Sequence, residues 1–224
     1  MSELHLNAGA SVQISYIYSP AVACFAAGTW IDTASGPVAV EHLSVGMQAV
    51  TAPLGTTAPI VWIGHRDVDC RRHPKPETVW PVRVRAGAFA AGVPSRDLLL
   101  SPDHAVFCED VLIPVRLLVN GTTVVQEKVD RITYYHIELD HHALLLAEGL
   151  PVESFLDTGN RSAFANGGDV AWIHPDFAPL VWEGSACAPL VVIGAPLQAA
   201  RERLAAVANN GTSGRVAVRE TRAQ

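Results

Sequence analysis

The chain has 224 residues, of which 49% are hydrophobic and 17% charged, and its net charge is −6. This composition is typical of a globular protein large enough to bury a substantial core, and it excludes an intrinsically disordered chain. The acidic balance without a basic stripe argues against a nucleic-acid partner, and no apolar run is long enough to span a bilayer.

The first predicted elements along the chain are short β-strands. Residues 11–18, "SVQISYIY", alternate as a half-buried strand does. Closely spaced segments of the same kind follow, among them "PVAVEHL", "PIVWIG", "DLLLS", "HAVFCED", "VLIPV" and "TYYHIEL", and glycine, proline and asparagine turns separate them. Such a series predicts an all-β fold.

The amino-terminal residues indicate no cleavable secretory signal, because they lack both a basic start and a continuous apolar core. The compartment therefore stays open between the cytoplasm, as the default, and export by a route that reads no such signal.

Turn residues cluster in "DTGNRSAFANGG", residues 157–168, where we predict a boundary between a β domain and a carboxy-terminal extension, residues 161–224. Within the extension, Leu197, Ala200 and Leu204 recur at helical spacing. They predict one amphipathic helix at about residues 196–208, with "NNG" as its stop signal.

The four cysteines, Cys24, Cys70, Cys108 and Cys187, contain no CxxC pair, which excludes a zinc ribbon or a thioredoxin-like motif. Free thiols in a reducing compartment are the default expectation. We expect Cys108 to pack in the core and Cys70, within the charged segment "DVDCRRHPKPE", to be exposed.

Cys24 is a candidate nucleophile because a small residue precedes it and small residues follow it closely. Ala23 precedes it and "AAGT" follows at residues 26–29, so its amide is poorly shielded, as an attack of the thiol on the preceding carbonyl requires. A histidine that titrates near neutrality is suited to protonate the departing nitrogen. His104, in "SPDHAVF", is the candidate.

Three ordered blocks carry a resemblance to a known family. "CFAAGTWIDTASGPVAVEHLSVGMQAV", "SPDHAVF" and "TYYHIELDHHALLLAEGLPVES" resemble the first, second and late blocks of the Hedgehog/intein (Hint) domain, and "LLLAEGLPVESFLDTGNR" is similar to a bacterial intein-like subgroup. The resemblance covers about residues 24–160. It implies a horseshoe-like β fold with pseudo-two-fold symmetry, and it makes residues 1–23 a candidate cleaved or transferred peptide.

The resemblance also implies a reaction, an autocatalytic N-to-S acyl shift at the Ala23–Cys24 bond. His104 would donate the proton, and Ser101 would bond the scissile carbonyl or hold the loop. The substrate would be the chain's own amino-terminal segment, turned over once without a cofactor. Water, an amine, a thiol or an alcohol would then resolve the thioester.

Two further histidines are weaker candidates. His136 stands where relatives often carry an aspartate, and it acts as a base or merely packs. His142 matches a histidine of the family's late block. A zinc site formed by "HIELDHH" is an alternative to the simpler interpretation of a solvated hairpin tip at Asp140 and His141.

The late block departs from inteins at its end. Glu153 and Ser154 stand where inteins finish with histidine and asparagine, and serine cannot form a succinimide, so the resemblance implies no full splicing. Two other interpretations remain open at this point. One is a silent binding module that keeps the fold without cleavage, and the other is a cysteine hydrolase acting in trans through Cys24 and His104.

Overall fold

The computed structural model describes residues 22–168 and 177–220. The strand predicted over residues 11–18 lies outside this part of the chain. The described residues before 154 form short strands joined by turns and four brief 3-10 helical turns. The strands are β1 Phe25–Ala26, β2 Trp30–Thr33, β3 Gly36–Ala39, β4 Gln48–Ala52, β5 Thr56–Asp69, β6 Val82–Val84, β7 Leu98–Leu100, β8 Ala105–Cys108, β9 Val111–Pro114, β10 Val124–Gln126, β11 Arg131–Leu139, β12 Leu144–Ala147 and β13 Leu150–Glu153.

The strands form one long antiparallel sheet, which confirms the all-β prediction. Its order is β10-β6-β7-β1-β11-β5-β4-β2-β12-β13-β8-β9, and β3 pairs with β2 as a side branch. The two-residue strand β1 lies between β7 and β11, with Phe25 opposite both Leu100 and Tyr135. Cys24 directly precedes β1 and is therefore held in the middle of the sheet.

Two apolar clusters lie on opposite faces around β1, because neighbouring side chains on a strand point to opposite sides. Phe25 belongs to the main core, together with Ile31, Leu100 and Ile137. Cys24 and Ala26 belong to a smaller cluster with Tyr134 and Phe155. The reactive candidate is thus packed in its own small hydrophobic cluster.

The carboxy-terminal extension holds two helices, α1 Phe177–Ser185 and α2 Ala195–Glu220, whereas the sequence predicted one. The predicted helix at about residues 196–208 is present, but the stop at Asn209 is wrong because the helix runs on to Glu220. Asparagine and glycine lower helix propensity by only about 1 kcal/mol each, which a longer helix tolerates. α1 carries Pro179 within its first turn, where proline is tolerated.

The extension packs on the sheet. Leu197, Ala200 and Leu204 are buried in the main core, and Arg201 Nε donates a hydrogen bond to the carbonyl of Leu117 at 2.9 Å. The division of the chain at residue 160 stays a prediction, and these contacts show that α2 contributes to the same hydrophobic core. Within the described residues, no helix is both long and apolar enough to cross a membrane.

Candidate active site

Ser101 connects the peptides on both sides of Ala23. The Cys24 N–H donates to Ser101 Oγ at 2.7 Å, and the Ser101 hydroxyl donates to the Val22 carbonyl at 2.9 Å. The Ser101 N–H in turn donates to the Cys24 carbonyl at 2.9 Å. The sequence left open whether Ser101 bonds the scissile carbonyl or holds the loop. In the structure its hydroxyl contacts the Cys24 nitrogen and the carbonyl of Val22, one residue upstream of the Ala23 carbonyl.

His104 lies against the main chain of Cys24. It follows Ser101 by a tight turn, closed by the His104 N–H bond to the Ser101 carbonyl at 3.1 Å. Its ring centroid is 4.4 Å from that of Phe25, and its Nε2 is 3.3 Å from the carbonyl oxygen of Glu153. Burial lowers the pKa of His104 to about 4, and contacts with the Cys24 and Glu153 main chains oppose that shift. The imidazole is therefore neutral at physiological pH.

The Cys24 thiol is fully buried, and burial raises its pKa to about 12. The charge of Arg66 and a hydrogen bond with Ser101 act in the opposite direction, whereas the charge of Glu153 raises the pKa further. Arg66 lies opposite Tyr134, which itself pairs with Ala26, so its side chain emerges on the face that carries Cys24. At rest the thiol is protonated.

His136 packs in an aromatic cluster beside His104. The two imidazole centroids are 5.0 Å apart, and the rings of Phe25 and Phe155 lie 5.9 Å and 5.3 Å from that of His136. Its Nδ1 is buried and makes no hydrogen bond within the described structure. The pKa of His136 is well below its usual value, because of burial and then of repulsion from His104 and His142. The structure thus brings His136 to the site as a neutral ring.

The segment after β13 covers this cluster. Phe155 N–H donates to the Ile137 carbonyl at 2.7 Å, and Phe164 stacks edge-on to Trp62 with the centroids 5.1 Å apart. Gly64, opposite His136 on β5, makes room for this packing, since a Cβ there would lie 2.3 Å from the Trp62 ring. The cover excludes water from His136.

His142 occupies a different position, at the boundary with the extension. The Cys187 N–H donates to His142 Nδ1 at 3.0 Å, and the Trp182 ring lies edge-on at 5.4 Å. Burial lowers the pKa of His142 to about 4, against a raising contact with the Ser154 main chain. His142 therefore contacts Ser154 and the extension, and its interaction with His136 is electrostatic.

Glu153 is a site residue that the sequence analysis did not propose. Its side chain is buried, and Oε1 accepts a hydrogen bond from the Ala105 N–H at 2.6 Å. Burial raises the pKa of this carboxyl to about 8, assisted by the charge of Asp103 and opposed by the Ala105 N–H. The signal was present, since a glutamate stands directly before Ser154 in an apolar strand that ends at the site.

The remaining cysteines lie elsewhere. Cys70 was predicted to be exposed, and this is wrong: it is 1% exposed, because its 3-10 turn folds inward against Val68 and Tyr134. Cys108 is buried in the main core, as expected, and Cys187 is exposed. Asp140 and His141 form an exposed bend after β11. The described ranges contain no group of three or more histidine, cysteine or acidic side chains placed to hold a metal ion.

Comparison with known proteins finds a family and several similar structures. A family model described as "Hint domain" matches residues 23–159. The gp41-1 intein is 9% identical, with 58% of this chain and 98% of that chain covered and a TM-score of 0.43. A bacterial intein-like domain from Clostridium thermocellum is 17% identical, with coverages of 59% and 98% and a TM-score of 0.41.

The MchDnaB-1 intein is 14% identical, with coverages of 58% and 99% and a TM-score of 0.41. A sequence comparison with curated proteins finds no match. The family match covers more than half of the chain and confirms the resemblance drawn from the three sequence blocks.

Proposed function

Because this chain belongs to the Hint domain family, we propose that it processes itself by an N-to-S acyl shift at the Ala23–Cys24 bond. The observation that carries the proposal is that Ser101 and His104 both contact the main chain around the Ala23–Cys24 bond. The Ser101 hydroxyl bonds the Cys24 nitrogen and the Val22 carbonyl, while the His104 ring lies against the Cys24 main chain. These contacts support roles for Cys24 as nucleophile, His104 as base and Ser101 as orienting hydroxyl.

The proposed first step moves one proton and exchanges one bond. The Cys24 thiol loses its proton to His104, and sulfur attacks the carbonyl carbon of Ala23. The carbon–nitrogen bond then breaks, and the imidazolium returns the proton to the departing nitrogen. The products are a thioester between Ala23 and the Cys24 sulfur and a free amine on Cys24.

The pKa values of the two groups decide how the proton moves. A thiol of pKa about 12 and an imidazole of pKa about 4 make a separated thiolate–imidazolium pair costly. The cost is on the order of 10 kcal/mol, since each pKa unit corresponds to 1.36 kcal/mol. Proton transfer is therefore coupled to the formation of the carbon–sulfur bond. The low pKa also makes the imidazolium a strong acid toward the leaving nitrogen.

The thioester is resolved by water or an external nucleophile, without splicing. Water adds its oxygen to the Ala23 carbonyl carbon, the carbon–sulfur bond breaks, and Cys24 regains its thiol. Ser154 occupies the place of the intein's terminal asparagine and lacks the side-chain amide that succinimide formation needs. Its hydroxyl instead accepts a hydrogen bond from the Ala143 N–H at 3.0 Å. The downstream junction is therefore not cut.

A second candidate function, a silent interaction module, is favoured by one observation. The Cys24 thiol is completely buried and protonated at rest, as a structural core cysteine is. The two functions differ in whether the chain ever breaks.

The test follows the intact mass of the purified chain over time, with and without dithiothreitol or hydroxylamine. Self-processing predicts a fragment that ends at Ala23, absent in Cys24→Ala and severely slowed in His104→Ala. Cys70→Ala is the matched control, because Cys70 is an equally buried thiol of the same cluster. An unbroken chain under every thiol condition supports the silent module, and equal rates for wild type and His104→Ala remove His104 from the mechanism.

A further inference from the structure

Glu153 contacts His104 and the residue that follows it, Ala105. Its main-chain carbonyl oxygen lies 3.3 Å from Nε2 of the His104 ring. Its carboxyl oxygen Oε1 accepts the N–H of Ala105, the residue that follows His104, at 2.6 Å. One residue at the end of β13 therefore contacts the His104 ring and fixes the backbone directly after it.

The carbonyl contact selects one form of the imidazole. A carbonyl oxygen only accepts hydrogen bonds, so this contact favours the ring form that carries its proton on Nε2. In the neutral ring the other nitrogen, Nδ1, is then a bare acceptor. Nδ1 of His104 is buried and has no hydrogen-bond partner in the described structure, although the ring touches the Cys24 main chain. Nδ1, which does not contact the Glu153 carbonyl, is thus the ring nitrogen that can accept a proton.

We propose that Glu153 is a positioning residue, which acts through His104 by holding its ring in the Nε2–H form with Nδ1 free to exchange a proton at Cys24. This role rests on the proposed function, because an unprotonated ring nitrogen beside Cys24 is the base that the acyl shift needs. Cys24, His104 and Glu153 would then act as nucleophile, base and orienting group. Residues of this kind set the tautomer of a catalytic histidine.

The titratable groups around the Glu153 carboxyl come from three parts of the fold. Asp103 and His104 precede β8, Cys24 precedes β1, and Cys187 belongs to the extension. Asp103 raises the pKa of Glu153, while the Glu153 charge raises the pKa values of both thiols. Because the His104 ring contacts the Glu153 main chain, we expect ionisation of the Glu153 carboxyl to change the ring-nitrogen signals of His104, which can be measured without activity.

The first experiment records the ring-nitrogen NMR signals of His104 in the full chain carrying Cys24→Ala, which cannot cleave. We expect the Nε2–H form and an inflection of these signals near pH 8. Adding Glu153→Gln should remove the inflection and keep the tautomer. Asp103→Asn should move the inflection to lower pH. A His104 ring in the Nδ1–H form, or an inflection that survives Glu153→Gln, would overturn the proposal.

The second experiment measures processing by intact mass at pH 7. We expect Glu153→Ala to slow fragment formation at least about ten-fold, and Glu153→Gln, which keeps an acceptor for the Ala105 N–H, to restore part of the rate. Equal rates for wild type and Glu153→Ala contradict the positioning role. If neither the wild type nor any variant releases a fragment, the proposed function fails, while the NMR signals still decide whether the His104 ring is in the Nε2–H form and whether its inflection comes from Glu153.

Discussion

Acidification from pH 7 to pH 4.5 should destabilise this protein, and buried histidines are the reason. Burial lowers the pKa values of His104 and His142 to about 4, and that of His136 shifts the same way. Between pH 6.5 and pH 4 these histidines bind protons in the unfolded chain but stay neutral in the folded chain. Stability therefore falls as the pH falls through this window.

Glu153 opposes this trend. Its pKa is raised from 4.5 to about 8 in the fold, so between these values the folded chain binds a proton that the unfolded chain lacks. Its contribution to stability consequently rises as the pH falls and is lost as the pH rises through 8. Integrating the linkage relation from pH 7 to 4.5 gives a gain of roughly 3 kcal/mol.

The histidines outweigh this gain. The same integration gives a loss of about 2–3 kcal/mol for each of His104 and His142. Together they exceed the Glu153 gain by about 2 kcal/mol, and His136 adds to the loss. In Glu153→Gln the opposing contribution is absent, so these two histidines alone should cost about 5 kcal/mol.

The assay is urea unfolding at the two pH values, followed by tryptophan fluorescence, with Cys24→Ala as the background so that the chain stays intact. Comparing the background with its Glu153→Gln derivative cancels the contribution of surface carboxylates. Equal or greater stability at pH 4.5 than at pH 7, in both proteins, would refute the reasoning.

The remaining predictions concern hydrogen bonding and packing. Ser101→Ala removes two buried hydrogen bonds, each worth about 1 kcal/mol, and should slow fragment release at least about ten-fold. Intact mass measures the rate. A normal rate in Ser101→Ala, together with a slow rate in Ser101→Thr, would contradict this prediction. Gly64→Ala places a Cβ 2.3 Å from the Trp62 ring and should lower the unfolding free energy by about 1–3 kcal/mol. Gly184→Ala is its control, since a Cβ there meets nothing within 4 Å, and should be neutral or stabilising in the same urea titration. Leu204→Ala leaves a cavity in the main core and should cost about 2–5 kcal/mol in one cooperative transition, whereas a separate early transition for the extension would show that α2 unfolds independently.

Local patterns predicted much of the fold. Segments such as "HAVFCED" and the turn residues between them predicted short strands correctly, because the residues of a strand reflect the burial of its two faces. The helix stop at Asn209 failed, since a few unfavourable residues do not outweigh the continuation of a helix. The prediction that Cys70 is exposed was wrong for a different reason. Its sequence neighbours are charged, but its side chain packs into a cluster formed by residues distant in the sequence.

The sequence by itself determined the family, the all-β class and the residue types available for chemistry, because these depend on motifs and on spacing along the chain. Only the tertiary structure decided which groups meet. Ser101 reaches the Cys24 nitrogen across 77 residues, and Glu153 reaches His104 across 49. Burial, which no local pattern expresses, then makes the histidines neutral and the glutamate a weak acid.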